Sequence, residues 1–216
     1  MKRRLRVAPG LDLNLLAFRE LPEEGFARTC DHQILVHGLV WRDNPRMSNP
    51  VFEAVRTVMA VRDYQDKPIP TDVVDRLIEA ARLTASASNR QPWHFVLVRE
   101  RAGLRELGAL VRTGPYTARA ALAVVVAYVK ESPIAISDVS RAIQSMILTA
   151  WADGVGSNWT GFGGLEGVRK AVGLPDDYEV LAVIPFGYPA RPVKGNKKRK
   201  PLSEVASAEG FGSPFS

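Results

Sequence analysis

The hydrophobic positions of the chain follow regular periods from about residue 47 onward. After Thr71, apolar residues recur at Val74, Leu77, Ile78 and Ala81, which is the spacing of one helical face. Other segments repeat this spacing, and short continuous apolar runs predict buried strands. The predicted elements are helices over Val51–Val61 and after a Thr71 cap, a strand over Trp93–Val98, a helix over Ala102–Val111, a strand over Ala121–Val129, a long helix capped by Asp138 and ended by Gly154 and Gly156, a short helix over Leu165–Val172 and a strand over Val180–Phe186.

Because helices and strands are mixed throughout, the pattern predicts an α+β (mixed α/β) class in one domain. The apolar run Ala121–Val129 is typical of a strand in a sheet covered on both faces. We place the domain at 47–205, with a C-terminal tail over 206–216. Residues 1–46 show no sustained period, and we expect an irregular extension there with at most one strand, over Ile34–Val40.

The composition is that of an ordinary globular protein. The chain has 216 residues, of which 46% are hydrophobic, and a mean hydropathy of −0.08. No apolar run approaches the roughly 18 residues of a membrane-spanning helix. The one cysteine, Cys30, fits a reducing compartment, so we predict a cytoplasmic protein. Cys30, His32 and His37 lack a fourth ligand, and we expect no metal site.

The positive charge is concentrated near the C-terminus. The formal net charge is +6, and the segment Arg191–Lys200 holds six cationic residues and no acidic residue. Nucleic-acid-binding proteins normally spread such charge along a face, whereas one short basic patch suits a single phosphate group. A solvated basic loop stays an alternative, as does nucleic-acid binding, which would be sensitive to salt.

Motifs of nucleophilic catalysis and dinucleotide binding are missing from the sequence. The serines lack a G-x-S-x-G pattern, and the glycine-rich stretch Gly161–Gly167 has Glu166 at the last position of G-x-G-x-x-G. The most informative segment is the polar loop Thr84–Phe95, which offers hydroxyl and amide groups between a helix and a buried strand. Such groups can bind a polar planar ligand, although they can equally satisfy the end of the helix.

Several segments together resemble the FMN-dependent nitroreductases. Ser86-Ala-Ser-Asn-Arg-Gln-Pro-Trp-His-Phe95 is similar to the P-S-x-x-N-x-Q-P-W loop of that family, with Ala85 in place of the proline. Further similar segments follow in the order of the family between about Val51 and Val205. They are Val61-Arg-Asp-Tyr64 with Pro68-Ile-Pro70, Gly154-Val-Gly-Ser-Asn-Trp-Thr-Gly161, Val183-Ile-Pro-Phe-Gly-Tyr-Pro189 and Arg199-Lys-Pro-Leu-Ser-Glu-Val205.

The resemblance implies a nitroreductase-like fold, with a mainly antiparallel central sheet flanked by helices, in an intertwined homodimer. It also implies an FMN at the dimer interface, with each site built from both chains. Arg62, Lys197 and Arg199 would then hold the phosphate through charge-assisted hydrogen bonds. The resemblance places Ser86, Ser88 and Asn89 at the ribityl chain and ring edge, and the backbone N–H groups of Thr160 and Gly161 near flavin N5 and O4.

The N-terminal motif departs from the family pattern. Met59 and Ala60 stand where the family usually has an arginine and often a serine. Two phosphate contacts are therefore missing, and Arg56, one helical turn earlier, is a candidate replacement.

The activity that the resemblance implies is NAD(P)H-dependent reduction of nitroaromatics, quinones or similar electron-poor acceptors. NADH or NADPH would deliver hydride to flavin N5 and leave. The acceptor would then bind in the same place and be reduced. No protein nucleophile is needed, because the cofactor carries the chemistry. We expect Tyr116, Trp159 and Phe162 to shape the acceptor pocket, although each can also be an ordinary packing residue. A flavin-binding protein without turnover, which stores or senses FMN, is the alternative.

Overall fold

The computed structural model describes residues 33–36, 39–42 and 49–215. The first two ranges form an antiparallel hairpin of β1 (Gln33–Val36) and β2 (Leu39–Arg42). Our expectation of at most one strand over Ile34–Val40 is therefore wrong, because this apolar run is interrupted by His37 and Gly38 and divides into two strands. Cys30, His32 and His37 lie outside the described residues, so the expectation of no metal site there stays a prediction.

Residues 48–216 form a separate compact unit. Its helices and strands follow the predicted order, with one strand that the sequence did not reveal. They are α1 (Pro50–Thr57), α2 (Thr71–Arg82), β3 (Trp93–Val98), α3 (Arg101–Leu110), β4 (Leu122–Val129), α4 (Ala135–Ala152), β5 (Gly156–Ser157), α5 (Glu166–Ala171) and β6 (Tyr178–Gly187). The predicted boundaries of the domain at 47 and 205 stay predictions.

The central sheet of this unit has the strand order β3-β4-β6-β5, and every pairing is antiparallel. The alternate residues Leu122, Val124 and Val126 of β4 face α2 and α4, whereas Ala123 and Val125 face α3 and α5. Both faces of the strand are thus buried, which confirms the predicted antiparallel sheet with helices on its two sides.

The helix α1 is shorter than its sequence pattern predicts. Asn49 caps it, accepting hydrogen bonds from the N–H groups of Val51 and Phe52. The helix ends at Thr57 rather than at Val61 because the following residues turn to β5 instead. The Val61 N–H donates to the Ser157 carbonyl at 2.9 Å, so residues 58–64 run extended along the edge of the sheet.

Two predicted helix caps are also wrong. Pro70 occupies the cap position of α2, and Thr71 is the first helical residue, with no capping hydrogen bond from a side chain. The helix α4 begins at Ala135, almost one turn before Asp138, so Asp138 lies inside the helix. Its carboxylate is therefore available for another partner.

Among the residues that the structure describes, no helix is both long and apolar enough to span a membrane.

Candidate active site

The serine loop, residues Ser86–Gln91, has a constrained backbone. Ser88, Asn89 and Gln91 have φ angles of 51°, 54° and 48°, in the left-handed region that side chains other than glycine rarely adopt. The loop is closed by the Gln91 N–H, which donates to Ser86 Oγ at 2.9 Å, and by Gln91 Nε2, which donates to Asn89 Oδ1 at 3.1 Å. Strained backbone of this kind is frequent at binding sites, and it presents Ser88 and Asn89 to solvent.

The helix α4 anchors the serine loop near its N-terminal end. The Asp138 carboxylate is only 1% exposed, accepts a hydrogen bond from the Ala87 N–H at 3.2 Å and pairs with Arg141. Two residues before the loop, Thr84 Oγ1 donates to Ser145 Oγ at 2.8 Å. The sequence interpretation missed this role of Asp138. The available signal was the position of Asp138 next to Val139, on the apolar stripe of a helix that faces the core.

A basic cluster of Arg56, Lys197 and Arg199 lies near the C-terminal end of α4. Lys197 Nζ donates to the Val55 carbonyl at 2.6 Å, which holds the basic patch against the last turn of α1. Arg56 and Lys197 both line a cavity of about 470 Å³ that reaches Trp151 of α4. Burial, and then the charges of Arg199 and Arg56, lower the pKa of Lys197 below its ordinary value. Arg56 and Lys197 are therefore close enough to act on one anion, and Arg199 follows Lys197 by two residues.

Arg62 is not brought into this cluster by any described contact. It is exposed on the extended segment beside β5, between the buried residues Val61 and Tyr64, and it has no ion pair within residues 49–215. The Tyr64 hydroxyl donates to the Val61 carbonyl at 2.7 Å and so fixes this segment. Of the three predicted phosphate ligands, Lys197 lines the cavity, and the phosphate-binding roles of Lys197, Arg199 and Arg62 all stay predictions.

The predicted N–H donors differ in availability. The Thr160 N–H donates to the Val183 carbonyl at 3.1 Å, as part of the sheet, so that amide is not free in this conformation. The Gly161 N–H donates to Thr113 Oγ1 at 3.1 Å, and this exposed hydroxyl can rotate away. Thr160 Oγ1 is buried and has no hydrogen-bond partner among the described residues. It lies so close to Gly114 that a Cβ there would be 2.1 Å from it.

The three predicted pocket aromatics lie around the segment 158–162. The Tyr116 hydroxyl accepts a hydrogen bond from Asn158 Nδ2, and Trp159 Nε1 donates to the Gly161 carbonyl at 2.8 Å. The Trp159 and Phe162 rings lie 6.2 Å apart between centroids, and Phe162 is 71% exposed. The segment therefore presents an apolar surface beside the Gly161 amide.

The serine loop and the basic cluster are separated by the length of α4. The loop is fixed at Asp138 and the cluster lies at Trp151. At ~1.5 Å per helical residue, these positions are about 20 Å apart along the axis. A loop that holds the ribityl chain of a flavin must lie close to the group that holds the attached phosphate. One chain therefore does not assemble these two parts into one site.

Comparison with known proteins gives a consistent result. The sequence model of the Nitroreductase family matches residues 55–132 and 112–188, which is more than half of the chain. A proposed NADH dehydrogenase/NAD(P)H nitroreductase from Methanothermobacter thermautotrophicus is 34% identical over 148 residues, which cover 65% of this chain and 78% of that protein.

Solved structures are also similar to this chain. The crystal structure of a proposed NADH dehydrogenase/NAD(P)H nitroreductase from Parabacteroides distasonis has a TM-score of 0.70 and 30% identity, covering 76% of this chain and all of that one. An FMN-dependent nitroreductase from Clostridium difficile also has a TM-score of 0.70, at 23% identity, covering 74% of this chain and 99% of that one. The second similarity is one of fold.

Proposed function

Since the chain belongs to the nitroreductase family and is an oxidoreductase, we propose that it binds FMN and uses NAD(P)H to reduce nitroaromatics, quinones or similar electron-poor acceptors. The observation that carries this proposal is the division of the site along α4. A strained polar loop stands at one end of the helix and a cationic cavity at the other. These are the two environments that the ribityl chain and the phosphate of FMN require.

A homodimer completes the site. In a dimer with two-fold symmetry and antiparallel α4 helices, the N-terminal end of one helix lies beside the C-terminal end of its partner. The serine loop of one protomer then meets the basic cluster of the other. Two sites of this kind form in each dimer, and each contains residues of both chains.

The exposed apolar residues of α1 and α4 support such a dimer. No residue of α1 is buried, even though the helix carries large apolar side chains. Val51, Phe52 and Val55 are 66%, 59% and 46% exposed. The outer face of α4 carries Ile136, which is 45% exposed, and the half-buried Leu148. Burying such faces is favourable by roughly 25 cal/mol per Å² of apolar surface. A second copy of the chain would bury both helices at once.

The described residues fit the chemistry of FMN. Bound FMN would supply the hydride-transfer chemistry between NAD(P)H and the acceptor. Lys197 and Arg199 supply positive charge for the phosphate dianion, while Ser88 and Asn89 offer hydroxyl and amide groups for the ribityl chain. The Gly161 N–H would be available to the polar edge of the ring if the Thr113 hydroxyl rotated away, and a fixed donor there would stabilise negative charge.

The aromatic residues would shape the acceptor site. Trp159 and Phe162 form an apolar surface next to Gly161, and Tyr116 limits it on the side of Asn158. Planar electron-poor molecules stack favourably on such surfaces. These side chains exclude water and orient the acceptor, and none needs to act as an acid or base.

The visible spectrum of the purified full-length protein tests the proposal. We expect flavin absorbance that bleaches when NADPH or NADH is added without oxygen and returns when menadione or nitrofurazone follows. A preparation that takes up no FMN would overturn the assignment. Flavin that binds but supports no continued NAD(P)H consumption would favour the storage or sensing alternative.

A matched pair of variants links the spectrum to the site. Lys197→Ala removes the half-buried amine of the cavity and should lower the bound FMN per chain. Lys198→Ala removes the neighbouring exposed amine and should leave FMN content near that of the wild type. Equal losses in both variants would mean that the patch attracts FMN only through its total charge.

A further inference from the structure

Arg56 is the one residue of the basic cluster whose guanidinium is held by an acid. It lies in the last turn of α1, lines the cavity of about 470 Å³ and belongs to no motif that the sequence matches. Its Nη2 lies 2.5 Å from Glu53 Oε2, and its Nε lies 3.1 and 3.0 Å from the two carboxylate oxygens. Glu53 therefore binds one edge of the guanidinium from a position one turn earlier.

The other edge of the Arg56 guanidinium is available to a ligand. Its Nη1 has no hydrogen-bond partner within residues 49–215. The Lys197 ammonium donates to the carbonyl of Val55, the residue that precedes Arg56. Lys197 and Arg56 are therefore near neighbours at the same cavity. Two such cations repel each other, and an anion bound between them offsets this repulsion.

The position of Arg56 also compensates for a deficit of this chain. Met59, which lines the same cavity, and Ala60 offer no charge or hydrogen-bond donor from their side chains. A phosphate dianion held by Lys197 and Arg199 alone would lack a planar guanidinium from α1. Arg56 presents such a fork at the same cavity as Lys197.

We propose that Arg56 is a phosphate-binding residue of this chain and that Glu53 holds its guanidinium when phosphate is absent and competes with phosphate when it is present. This inference rests on the proposed flavin function, since the phosphate is that of FMN. The ion pair of Glu53 and Arg56 is exposed on both sides and therefore weak. A dianion between three cations displaces such a carboxylate more readily than it would displace a buried one.

Binding of FMN and of riboflavin separates this inference from the proposed function. The two flavins differ only in the phosphate, and quenching of their fluorescence on titration of the ligand-free full-length protein gives both dissociation constants. We expect Arg56→Ala to raise the Kd of FMN at least about tenfold, the effect of losing one charge-assisted hydrogen bond, and to leave the Kd of riboflavin unchanged.

A matched control is available on α2. Arg82 and Glu79 form an ion pair with the same spacing, a distance of 2.6 Å and similar exposure, and neither lines the cavity. Arg82→Ala should leave both dissociation constants unchanged. Glu53→Gln should tighten FMN several-fold without affecting riboflavin, since it removes a repulsive charge, and added salt should shrink this difference.

Each remaining outcome overturns the inference. An unchanged Kd of FMN in Arg56→Ala would remove Arg56 from the phosphate site. A parallel loss of FMN and riboflavin binding would mean that the variant disturbs the flavin pocket as a whole. Weaker FMN binding in Glu53→Gln would show that Glu53 positions Arg56 rather than competing for it. Riboflavin binding by the wild type keeps the flavin function intact in all three cases, and its absence together with that of FMN would overturn both.

Discussion

At the scale of single residues, Asp138 joins the candidate site to the core. Its carboxylate is buried, and it satisfies both the Ala87 N–H of the serine loop and the Arg141 guanidinium. A buried acid needs such partners, because an unpaired charge inside a protein is costly. Asp138 thus fixes the position of the loop without itself facing a ligand.

Replacement of Asp138 tests this contribution. Asp138→Ala leaves the Ala87 N–H without its acceptor and Arg141 without its counter-charge, so we expect the free energy of unfolding to fall by about 1–3 kcal/mol. Urea unfolding measures the change. Asp72→Ala is the control, since Asp72 pairs with Arg76 at the surface and should matter little. Equal effects of the two substitutions would contradict the anchoring role.

Glu166 makes the free energy of unfolding depend on pH in the acid range. Hydrogen bonding to Arg169, and then its charge, lower the pKa of Glu166 from 4.5 to about 2. A carboxylate with a lowered pKa in the folded state stabilises the fold above its ordinary pKa, and that contribution disappears as the pH falls from about 4.5 to about 2. We therefore expect Glu166→Gln to be less stable than the wild type at neutral pH and equal to it near pH 2. Thermal unfolding across this range checks it, and a constant difference at all pH values would refute it.

At the scale of elements, the serine loop combines strain with a fixed position. Three of its residues adopt left-handed backbone conformations, although none is a glycine. The polar partners of the loop come from the loop itself and from α4, and these contacts balance the cost of the strained backbone. A loop selected for stability alone would have glycine at these positions.

Ser88 provides the test of this strain. Ser88→Gly removes the Cβ that disfavours a φ of 51°, so we expect stability to rise by up to about 1 kcal/mol. Ser88→Val, with a branched Cβ, should lower stability and distort the loop. Chemical denaturation of the two variants gives the comparison. A loss of stability in Ser88→Gly would show that the loop is not strained at this residue in solution.

The order of the elements could be predicted from the sequence, and their ends could not in every case. The apolar periods located both ends of β3 and placed the start of α1 one residue late, at Val51 instead of Pro50. The strand β5 has only two residues, and pairing partners distant in sequence determine both it and the end of α1 at Thr57. No local pattern contains such partners.

The candidate site could likewise be predicted from the sequence only in part. Motif resemblance selected the residues of the serine loop and the basic patch, because their types and order are visible in the sequence. The distance between them is not visible, since it depends on which end of α4 each segment contacts. The pairing of Glu53 with Arg56 was accessible from their helical spacing, whereas the Ala87 N–H as a partner of the buried Asp138 was not.

At the scale of the whole molecule, apolar surface is exposed on elements that border the candidate site. The helix α1 and the outer face of α4 both present apolar side chains, and the C-terminal segment adds Leu202, Val205 and Phe211, at 63%, 62% and 108% exposure. Within residues 49–215 of one copy, these side chains are exposed to water. Large exposed apolar patches of this kind mark interfaces.

Ile136 tests the assembly. Ile136→Glu places a charge on the outer face of α4, and we expect it to convert a dimer into monomers of 23.7 kDa and to release FMN. Sedimentation measures the mass, and absorbance measures the flavin. Leu97→Glu changes an apolar residue of similar exposure on β3 and should leave the mass unchanged. A wild-type protein that sediments as a monomer with bound FMN would contradict the shared site.

The length of α4 between Asp138 and Trp151 also has a genetic consequence. An Asn89→Ala protomer and a Lys197→Ala protomer are each damaged at one end of this helix, so dimers of either kind alone have two defective sites. A mixed dimer would gather both lesions in one site and leave the other whole. Co-expression of two inactive alleles should therefore restore up to about a quarter of the wild-type turnover, as random pairing of subunits predicts.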